Sequence, residues 1–359
     1  MKNAVTRPVI YLAILFIVVG LSSCKKTYLA DGPLPVTSSP NVPPPDSISG
    51  WARLKALNDT ITLLEEFNHT IYAASNNNTL YTSADEGVSW ATLKVGNISD
   101  LSITAIKVFN NKLYVGTDDN GIFSSSDGGK TWANFTSSLL TYNPAGYLVG
   151  FAITSFAERN NKLYASTQGN GVYLLNEAAN TWSAFNNNLP WIITSYDVFT
   201  MINTGNTLVI AAGVNGTFYH YDFDANLWAE TLLPKWLTYI NAMTLDNGSL
   251  YGITTEKKII RSSDDGITWT YDTADLQATQ ISSILPQKIY TGTTKNYVLT
   301  ISTNGKGTWI QQRDRNAAIG TSWATGQELL QGLRINAIIE SNHTLFLGTN
   351  SGIFIKSIK

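Results

Sequence analysis

An internal repeat of about 40 to 50 residues constrains this chain more than any other feature of its sequence. Three copies align over their full length on a Leu-Tyr or Ile-Tyr pair followed by small residues. They cover residues 60–93, 102–135 and 152–185, and weaker copies begin near Val198, Tyr239, Ile281 and Arg334. One such unit cannot bury its own apolar face, so we expect the copies to pack side by side in a single array.

Each copy contains four short runs of alternating apolar and polar residues, separated by Asn, Gly and Asp. In the second copy the runs cover residues 104–109, 112–117, 121–125 and 131–135. Alternation indicates half-buried strands, and the intervening residue types are those that turns require. Four strands per unit at this period are typical of the blades of a β-propeller, so we predict an all-β fold.

Tryptophan provides a count of the blades. Seven of the ten tryptophans recur about 40 to 50 residues apart, and we expect each to begin the fourth strand of a blade. They are Trp51, Trp90, Trp132, Trp182, Trp228, Trp269 and Trp309. The last copy stops after three strands, whereas Trp51 has no three strands before it. We therefore predict a seven-bladed propeller of four-stranded antiparallel blades over residues 49–359. Its ring is closed by an N-terminal strand that joins the C-terminal blade, which removes two free sheet edges.

The first 48 residues differ from the rest of the chain in composition. Lys2 and Arg7 precede an apolar run over residues 9–21, which is shorter than a membrane-spanning helix of about 20 residues and typical of a signal peptide. The run ends directly before Cys24, the single cysteine, and residues 21–24 resemble a bacterial lipoprotein signal. This implies a signal peptide over residues 1–23, lipidation of Cys24 and a Pro- and Ser-rich tether over residues 24–48.

The lipoprotein resemblance also implies a location. We expect the protein to be exported and anchored to the bacterial cell envelope through Cys24, at a periplasm-facing membrane or the outer membrane. The alternative is an ordinary signal peptide in which the cysteine is incidental.

Three copies carry an intact S-x-D-x-G-x-[ST]-W motif between the third and fourth strands. It resembles the Asp-box, or bacterial neuraminidase (BNR) repeat, of several propeller families. An Asp at the start of a tight turn can accept backbone N–H groups, Gly can adopt a positive φ, and Trp can pack over the turn. We therefore predict structural roles for the residues of these motifs, which are Asp85, Gly87, Trp90, Asp127, Gly129, Trp132, Asp264, Gly266 and Trp269.

Propellers with this motif include enzymes and binding proteins. A resemblance to sialidases implies a triad of arginines, but no Arg-Ile-Pro motif occurs, and Arg261 directly precedes a motif on a third strand. A resemblance to xyloglucan-type endoglucanases implies two propellers, whereas this chain has the length of one. A resemblance to the photosystem II stability/assembly factor implies a non-catalytic ring that binds a partner. We assign no catalytic residue and expect a binding protein, while hydrolase activity stays open.

Neither a cofactor nor a metal is predicted. The chain has three histidines and no paired metal-ligand or phosphate-binding motif. His69 falls in a turn equivalent to the one that contains His343, and His220 lies on a predicted third strand between tyrosines. A net charge of −2 gives no indication of a nucleic-acid partner.

The partner is expected at the propeller face formed by the turns between strands two and three and by the linkers between blades. Four long linkers are predicted there, near residues 136–151, 186–197, 232–239 and 310–333. Exposed aromatic side chains can anchor a protein partner or stack on sugars. The candidate binding residues are Trp191, Trp236, Trp323, Tyr142, Tyr196, Asp119 and Asn170.

The leading hypothesis is a monomeric, lipid-anchored binding or assembly scaffold that recognises a protein through this face. The alternative is a carbohydrate-binding or glycoside-hydrolase-type propeller that acts on extracellular glycans. The alternative for each tryptophan is that it only fills the gap between its own loop and the ring.

Overall fold

A computed structural model describes much of the chain beyond residue 46. The described residues are 47–48, 51–96, 102–135, 138–139, 152–189, 197–212, 217–231, 240–246, 248–254, 259–272, 289–291, 297–303, 308–314, 324–329, 333, 335–342 and 344–357. The chain divides into two units, Met1–Pro44 and Pro45–Lys359, and every described strand belongs to the second. None of the described residues forms a helix with the length and hydrophobicity needed to cross a membrane.

The described residues form an all-β propeller whose blades are consecutive antiparallel sheets. Blades one to three comprise β3 (Ile61–Phe67), β4 (Thr70–Ser75), β5 (Thr79–Ser83), β6 (Ala91–Lys94), β7 (Ile103–Phe109), β8 (Lys112–Thr117), β9 (Ile122–Ser125), β10 (Ala133–Asn134), β11 (Ala152–Arg159), β12 (Lys162–Gln168), β13 (Gly171–Asn176) and β14 (Thr181–Ala184). Blades four to six comprise β15 (Val198–Asn203), β16 (Leu208–Ala212), β17 (Thr217–Asp222), β18 (Leu227–Glu230), β19 (Ile240–Asp246), β20 (Ser249–Thr254), β21 (Ile259–Ser262), β22 (Thr270–Asp272), β23 (Ile289–Thr291), β24 (Tyr297–Thr303), β25 (Thr308–Asp314) and β26 (Ala324–Leu329).

A further sheet joins the two ends of the chain and is called the closing sheet below. Its strands, in spatial order, are β27 (Ile335–Ser341), β28 (Thr344–Thr349), β29 (Gly352–Ser357), β2 (Trp51–Leu54) and β1 (Ser47–Ile48). The inner strands β3, β7, β11, β15, β19, β23 and β27 belong to sheets that contact one another in this order, and β27 contacts β3.

Local sequence explains why these segments pair as hairpins. Strands one and two of the first three blades are joined by two residues with positive φ, such as Asn110 (46°) and Asn111 (58°). This backbone geometry matches the twist of an antiparallel hairpin, and Asn adopts it more readily than most residues do. The strands predicted for the second repeat agree with β7 to β10 within two residues at each end.

The predicted blade architecture is wrong. The described strands form six four-stranded blades, not seven, and the two ends of the chain form a five-stranded sheet instead. The additional strand, β1, pairs Ser47 with Ala52 and Ile48 with Trp51. Residues that the sequence assigns to the tether therefore extend the outer edge of the closing sheet.

The count based on tryptophan was wrong for a specific reason. Six of the seven tryptophans lie in or directly before the fourth strand of their sheet, but Trp309 lies in β25, the third strand of blade six. It pairs with Ser302 on β24 and Glu328 on β26. The predicted linker over residues 310–333 is also wrong in part, because β25 and β26 occupy much of it.

The ring is closed by pairing between β2 and β29, with Arg53 opposite Phe354. Trp51 is 1% exposed, so the N-terminal strand adds a large, fully buried side chain to the core of the closing sheet. Arg53 Nε also donates a hydrogen bond of 3.0 Å to the Ser351 carbonyl. At Gly352, where φ is +96°, a Cβ atom would lie 2.0 Å from the Leu57 carbonyl oxygen, so only glycine permits this approach.

The hydrophobic core lies between neighbouring blades. Phe109 and Tyr114 of blade two pack with Ile153 and Trp182 of blade three, and Tyr114 meets the Trp182 ring edge-on at 6.3 Å. The other described clusters likewise combine residues of two consecutive sheets. In the described core, the closing sheet and blades one to five are thus stabilised by packing against their neighbours.

We predict that β2 is required for a stable ring, whereas residues 24–44 are not. A fragment of residues 45–359 should unfold at the same temperature as a fragment of residues 24–359, and a fragment of residues 56–359 should lose cooperative unfolding, because the closing sheet would expose its edge at β29. Trp51→Ala should lower the free energy of unfolding by about 3–5 kcal/mol. Thermal and urea denaturation measure these effects, and equal stability of the two fragments would refute this role for β2.

Candidate functional site

The connections between strands define two faces of the ring. The upper face carries the turns between strands two and three and the linkers from one blade to the next. The lower face carries the turns between strands one and two and between strands three and four. The antiparallel order of each blade fixes this division.

On the lower face, the three intact motif turns have the same hydrogen bonds. Asp127 accepts bonds from the Ser125 hydroxyl (2.7 Å), from the Thr131 backbone N–H (2.9 Å) and from the Thr131 hydroxyl (2.6 Å). The Ser125 hydroxyl in turn accepts a bond from the Gly129 N–H at 2.7 Å. The corresponding bonds are present around Asp85 and Asp264.

The glycine of each motif lets its turn lie directly against the preceding sheet. A Cβ atom on Gly129, whose φ is +89°, would lie 2.5 Å from Leu93 of blade one. The Gly129 carbonyl accepts a bond of 3.0 Å from Trp132 Nε1. Similarly, Gly266 lies against Val209 of blade four, and Gly87 against Phe346 and Leu54 of the closing sheet. Nε1 of Trp90 and Trp269 donates to the carbonyl of Gly87 and Gly266 in the same way.

These bonds lower the pKa values of the three aspartates. Hydrogen bonds from Ser89 and Ser83 lower the pKa of Asp85 to about 2, and those from Thr131 and Ser125 lower the pKa of Asp127. Burial opposes the effect at Asp264, but bonds from Thr268 and Ser262 still lower its pKa. A carboxylate with such a low pKa that already accepts several internal bonds is a poor general acid or base near neutral pH.

The upper face contains the described candidate residues. Asp119 is exposed in the turn between β8 and β9, whereas Asn170 is buried in the turn between β12 and β13, where its carbonyl accepts a bond of 3.0 Å from Asn186 Nδ2. The structure therefore places both residues in upper-face turns, on adjacent blades. Cys24 and the candidates Trp191, Trp236, Trp323, Tyr142 and Tyr196 lie outside the described residues.

Buried hydroxyl groups form hydrogen bonds with the backbone of the upper-face turns. Thr117 Oγ1 donates to the Gly121 carbonyl (2.8 Å) and accepts from the Asn120 N–H (3.0 Å). Thr167 makes the same two bonds in blade three, and Ser75 and Thr349 make similar ones in blade one and the closing sheet. Because these buried hydroxyls hold the backbone, the tips of the turns have a fixed backbone conformation.

Near the upper face, the inner strands share a break in register with the second strand of their sheet. In the described strands β3, β7, β15, β19 and β27 a register shift follows the first residue, and in β11 it follows the second, Ile153. Two of the shifted side chains connect blades: Thr154 Oγ1 donates to the Val198 carbonyl (2.8 Å), and Asn336 Nδ2 donates to the Ile61 carbonyl (2.8 Å). Bulges of this kind redirect side chains and recur beside functional sites.

The junction between the closing sheet and blade one holds a polar cluster that the sequence analysis missed. The Asp59 carboxylate accepts a bond from Asn77 Nδ2 (3.0 Å) and a short bond from the Tyr81 hydroxyl. Burial, together with this carboxylate, raises the pKa of Tyr81 to about 12, so its phenol stays protonated and is not an activated nucleophile. Arg53 donates to Asn58 Oδ1 at 2.8 Å beside the cluster.

The histidines offer no catalytic or metal site in the described part of the chain. His220 Nδ1 lies 3.2 Å from the Thr231 hydroxyl, and burial lowers the pKa of its imidazole. His69 occupies a positive-φ turn, where its backbone N–H donates to Glu66 Oε1 at 2.7 Å. No group of three His, Cys, Asp or Glu side chains suited to a metal occurs among the described residues.

Known proteins share this architecture. The family model described as the DUF6242 beta propeller domain matches residues 53–241, more than half of the chain. No curated protein matches the chain.

Solved structures resemble the chain at low identity. The structure "YCF48 bound to D1 peptide" has a TM-score of 0.59 and 16% identity, over 88% of this chain and 99% of that one. YCF48 from Cyanidioschyzon merolae has a TM-score of 0.62 and 11% identity, over 86% and 99%. The extracellular domain of the one-component system BT4673 from B. thetaiotaomicron has a TM-score of 0.59 and 14% identity, over 86% of this chain and 40% of that one. At such identities the likeness shows the fold.

We predict that the three motif aspartates make stability depend on acid pH. Their pKa values are lower in the folded chain than in the unfolded chain, where Asp titrates near about 3.9. Their stabilisation should therefore be fully present well above about pH 4 and be lost progressively as the pH falls from there through the pKa of about 2 of Asp85. Urea unfolding of the Asp85→Asn, Asp127→Asn, Asp264→Asn variant should show a smaller decrease in stability across this window.

The matched control is Asp119→Asn, which removes an exposed carboxylate outside the motif turns. It should keep the wild-type pH dependence. An equal decrease in stability for wild type and the triple variant would contradict the role given to the motif aspartates.

Proposed function

The chain belongs to the DUF6242 beta propeller family, and from this premise we propose that it is a binding or assembly scaffold of the cell envelope that recognises a protein partner through its upper face. Its anchor is lipidated Cys24, and residues 25–46 act as the spacer between the lipid and the propeller. The motif turns make it an Asp-box propeller in which the box stabilises the ring. We assign no catalytic residue to the scaffold.

The arrangement of the upper-face turns carries this proposal. Asn76, Asp119 and Asn350 are exposed at the tips of turns whose backbones are held by buried hydroxyls. Such fixed polar groups can hydrogen-bond a partner at a small cost in conformational entropy. The motif carboxylates, in contrast, are already bonded within their own turns and are on the other face.

One solved structure and one sequence resemblance, both to the same kind of protein, support a protein as the partner. One solved structure of the same fold is that of YCF48 bound to a D1 peptide. The sequence resemblance to the photosystem II stability/assembly factor, a non-catalytic propeller, points in the same direction. Fold alone does not assign a partner, so the position of the contact has to be tested directly.

A glycan-binding function is the second candidate. It is favoured by the cluster around Asp59, where a carboxylate and the Asn77 amide lie together at the upper face. Carboxylate and amide groups can accept from and donate to sugar hydroxyls. A xyloglucanase of glycoside hydrolase type GH74 also shares the fold, with a TM-score of 0.54 at 16% identity over 80% of this chain and 51% of that one.

Site-specific photo-cross-linking would locate the partner. A photoreactive residue at position 77 or 119 of the full chain, in its own cells, should capture one and the same protein. The same residue at Lys130, exposed on the lower face, should not capture it. The Asn76→Arg, Asp119→Arg variant should lose the partner by at least about tenfold in affinity without a change in melting temperature, because both side chains are exposed at turn tips.

Capture from Lys130 alone would contradict an upper-face site. Binding to a glycan array that is lost in Asp59→Asn, with no captured protein, would favour the glycan candidate.

The lipid anchor has its own test. Cys24→Ser should move the protein from the membrane fraction to the soluble fraction and abolish labelling by a fatty-acid analogue, because Cys24 carries the only thiol of the chain. Cell fractionation with and without a protease applied to the outer surface would report the location. Retention of Cys24→Ser in the membrane, with labelling intact, would refute the anchor.

A further inference from the structure

The exposed large apolar side chains of the described residues all lie on the lower face. Val88 is 82% exposed, Ile267 is 48% exposed and Phe223 is 37% exposed. Each lies in a turn between strands three and four, in blades one, five and four respectively. Single exposed apolar residues are common, but adjacent ones surrounded by polar groups mark an interaction site.

Phe223 and Ile267 belong to one continuous surface across blades three, four and five. Arg159 of blade three lies 4.2 Å above the Phe223 ring and also donates a short bond to the Asn206 carbonyl. Asn206 of blade four then donates from Nδ2 to Asp265 of blade five at 2.8 Å. Asp265 is two residues from Ile267. We call the surface formed by these five residues, with the acidic residues beside Phe223, the blade 4–5 patch.

The charge around the blade 4–5 patch is mainly negative. Asp222 and Asp224 flank Phe223 and are exposed. Asp222 accepts the backbone N–H groups of Asp224 and Ala225, both at 2.9 Å, so its carboxylate is fixed in the turn.

Asp265 adds a third carboxylate, on the side of the patch that contains Ile267. It is half-buried, and the group that donates to it is the neutral amide of Asn206, which leaves the negative charge of Asp265 in place. The one arginine of the patch, Arg159, is already engaged by Phe223 and Asn206. The patch therefore combines two apolar side chains with carboxylates at both of its ends.

Val88 shows what is particular to this patch. Its turn is of the same type and its side chain is more exposed. Its carboxylates are held much as those of the patch are: Asp85 by its own turn and Glu86 by the Asn342 amide of the closing sheet. What Val88 lacks, among the described large apolar residues, is an exposed apolar neighbour on an adjacent blade.

We propose that the blade 4–5 patch is a second docking surface, which binds a cationic segment of a partner protein that also carries apolar side chains. Apolar residues of the segment cover Phe223 and Ile267, and its Lys or Arg side chains pair with Asp224 and Asp265. Apolar contact contributes affinity, while complementary charge contributes association rate and specificity.

Charge also argues against a second copy of this chain as the occupant. In a symmetric dimer the same patch would face itself, so the carboxylates of Asp222, Asp224 and Asp265 would approach those of the other copy. Like charges placed opposite each other disfavour such a contact. The docking surface is separate from the upper face, so the two proposals can succeed or fail independently.

The test uses the full chain and three short synthetic peptides of equal length. One alternates Lys and Leu, one alternates Lys and Ser, and one alternates Glu and Leu. Fluorescence anisotropy should show that the Lys–Leu peptide binds at least about tenfold more tightly than the other two, with weaker binding at high salt. Equal binding of the Lys–Ser peptide would overturn the proposal, because charge alone would then be sufficient.

Two independent variants and a control assign the binding to the patch. Phe223→Ser with Ile267→Ser, and separately Asp224→Lys with Asp265→Asn, should each weaken binding of the Lys–Leu peptide by about tenfold or more. Asn is chosen at position 265 because Asp265 has a φ of 59°, which Asn tolerates better than Lys does.

The control Val88→Ser should leave binding of the Lys–Leu peptide unchanged, as should the upper-face variant Asn76→Arg, Asp119→Arg. Unchanged binding in both patch variants would overturn the proposal, as would self-association of the wild type that is lost in either patch variant.

Discussion

A circular array of sheets requires its first and last members to meet, and the rest of this structure depends on that contact. The chain meets the requirement by pairing β2 with β29, so that residues from both ends share the closing sheet. Pairing alone would be weak over four residues. It is reinforced by the buried Trp51, by the bond from Arg53 to the Ser351 carbonyl, and by the close approach of Leu57 to Gly352. Without these contacts the ring would have two free edges.

Neighbouring sheets are also joined by packing and hydrogen bonds from the closing sheet to blade five, in the part of the chain that the structure describes, and much of this connection lies on the lower face. The motif glycines allow a turn to lie on the preceding sheet, as Gly129 does on Leu93. The turns between strands one and two connect forward to the next blade, as in the bond of 2.7 Å from Asn110 Nδ2 to Glu177. Trp269 stacks on Phe218 of blade four at 4.4 Å. Many polar residues of the lower face thus form hydrogen bonds within or between blades, whereas the upper face has exposed polar groups at the tips of its turns.

The sequence analysis predicted the structural features that are encoded by residues close together in the chain. The strands of the second repeat were predicted closely, because alternation and Asn or Gly turns are encoded within a few residues of each strand. The closing pair of strands was predicted from the incomplete repeats at the two ends. The blade count was wrong, because Trp309 lies on a third strand of a repeat with a degenerate motif, and because β1, with two residues, has no detectable periodicity.

The features of the site that the sequence analysis did not predict depend on contacts between residues far apart in the sequence. The cluster of Asp59, Asn77 and Tyr81 forms only once the closing sheet is placed beside blade one. The continuity of Phe223 with Ile267 depends on contacts of Arg159 and Asn206 across three blades. Asn170 was predicted as a binding residue from its turn position, but the turn folds its side chain inward and leaves it 3% exposed. Turn position fixes the face on which a residue lies, not its accessibility.

Native-state amide hydrogen exchange of β2 tests the central claim, ring closure by the N-terminal strand, most directly. If β2 closes the ring as an integral strand, the amides of Trp51–Leu54 that bond to β29 should exchange only through global unfolding. Their exchange should then depend on denaturant as steeply as that of β28. Exchange of the β2 amides through a local opening of low free energy, with little dependence on denaturant while β28 stays protected, would contradict the account.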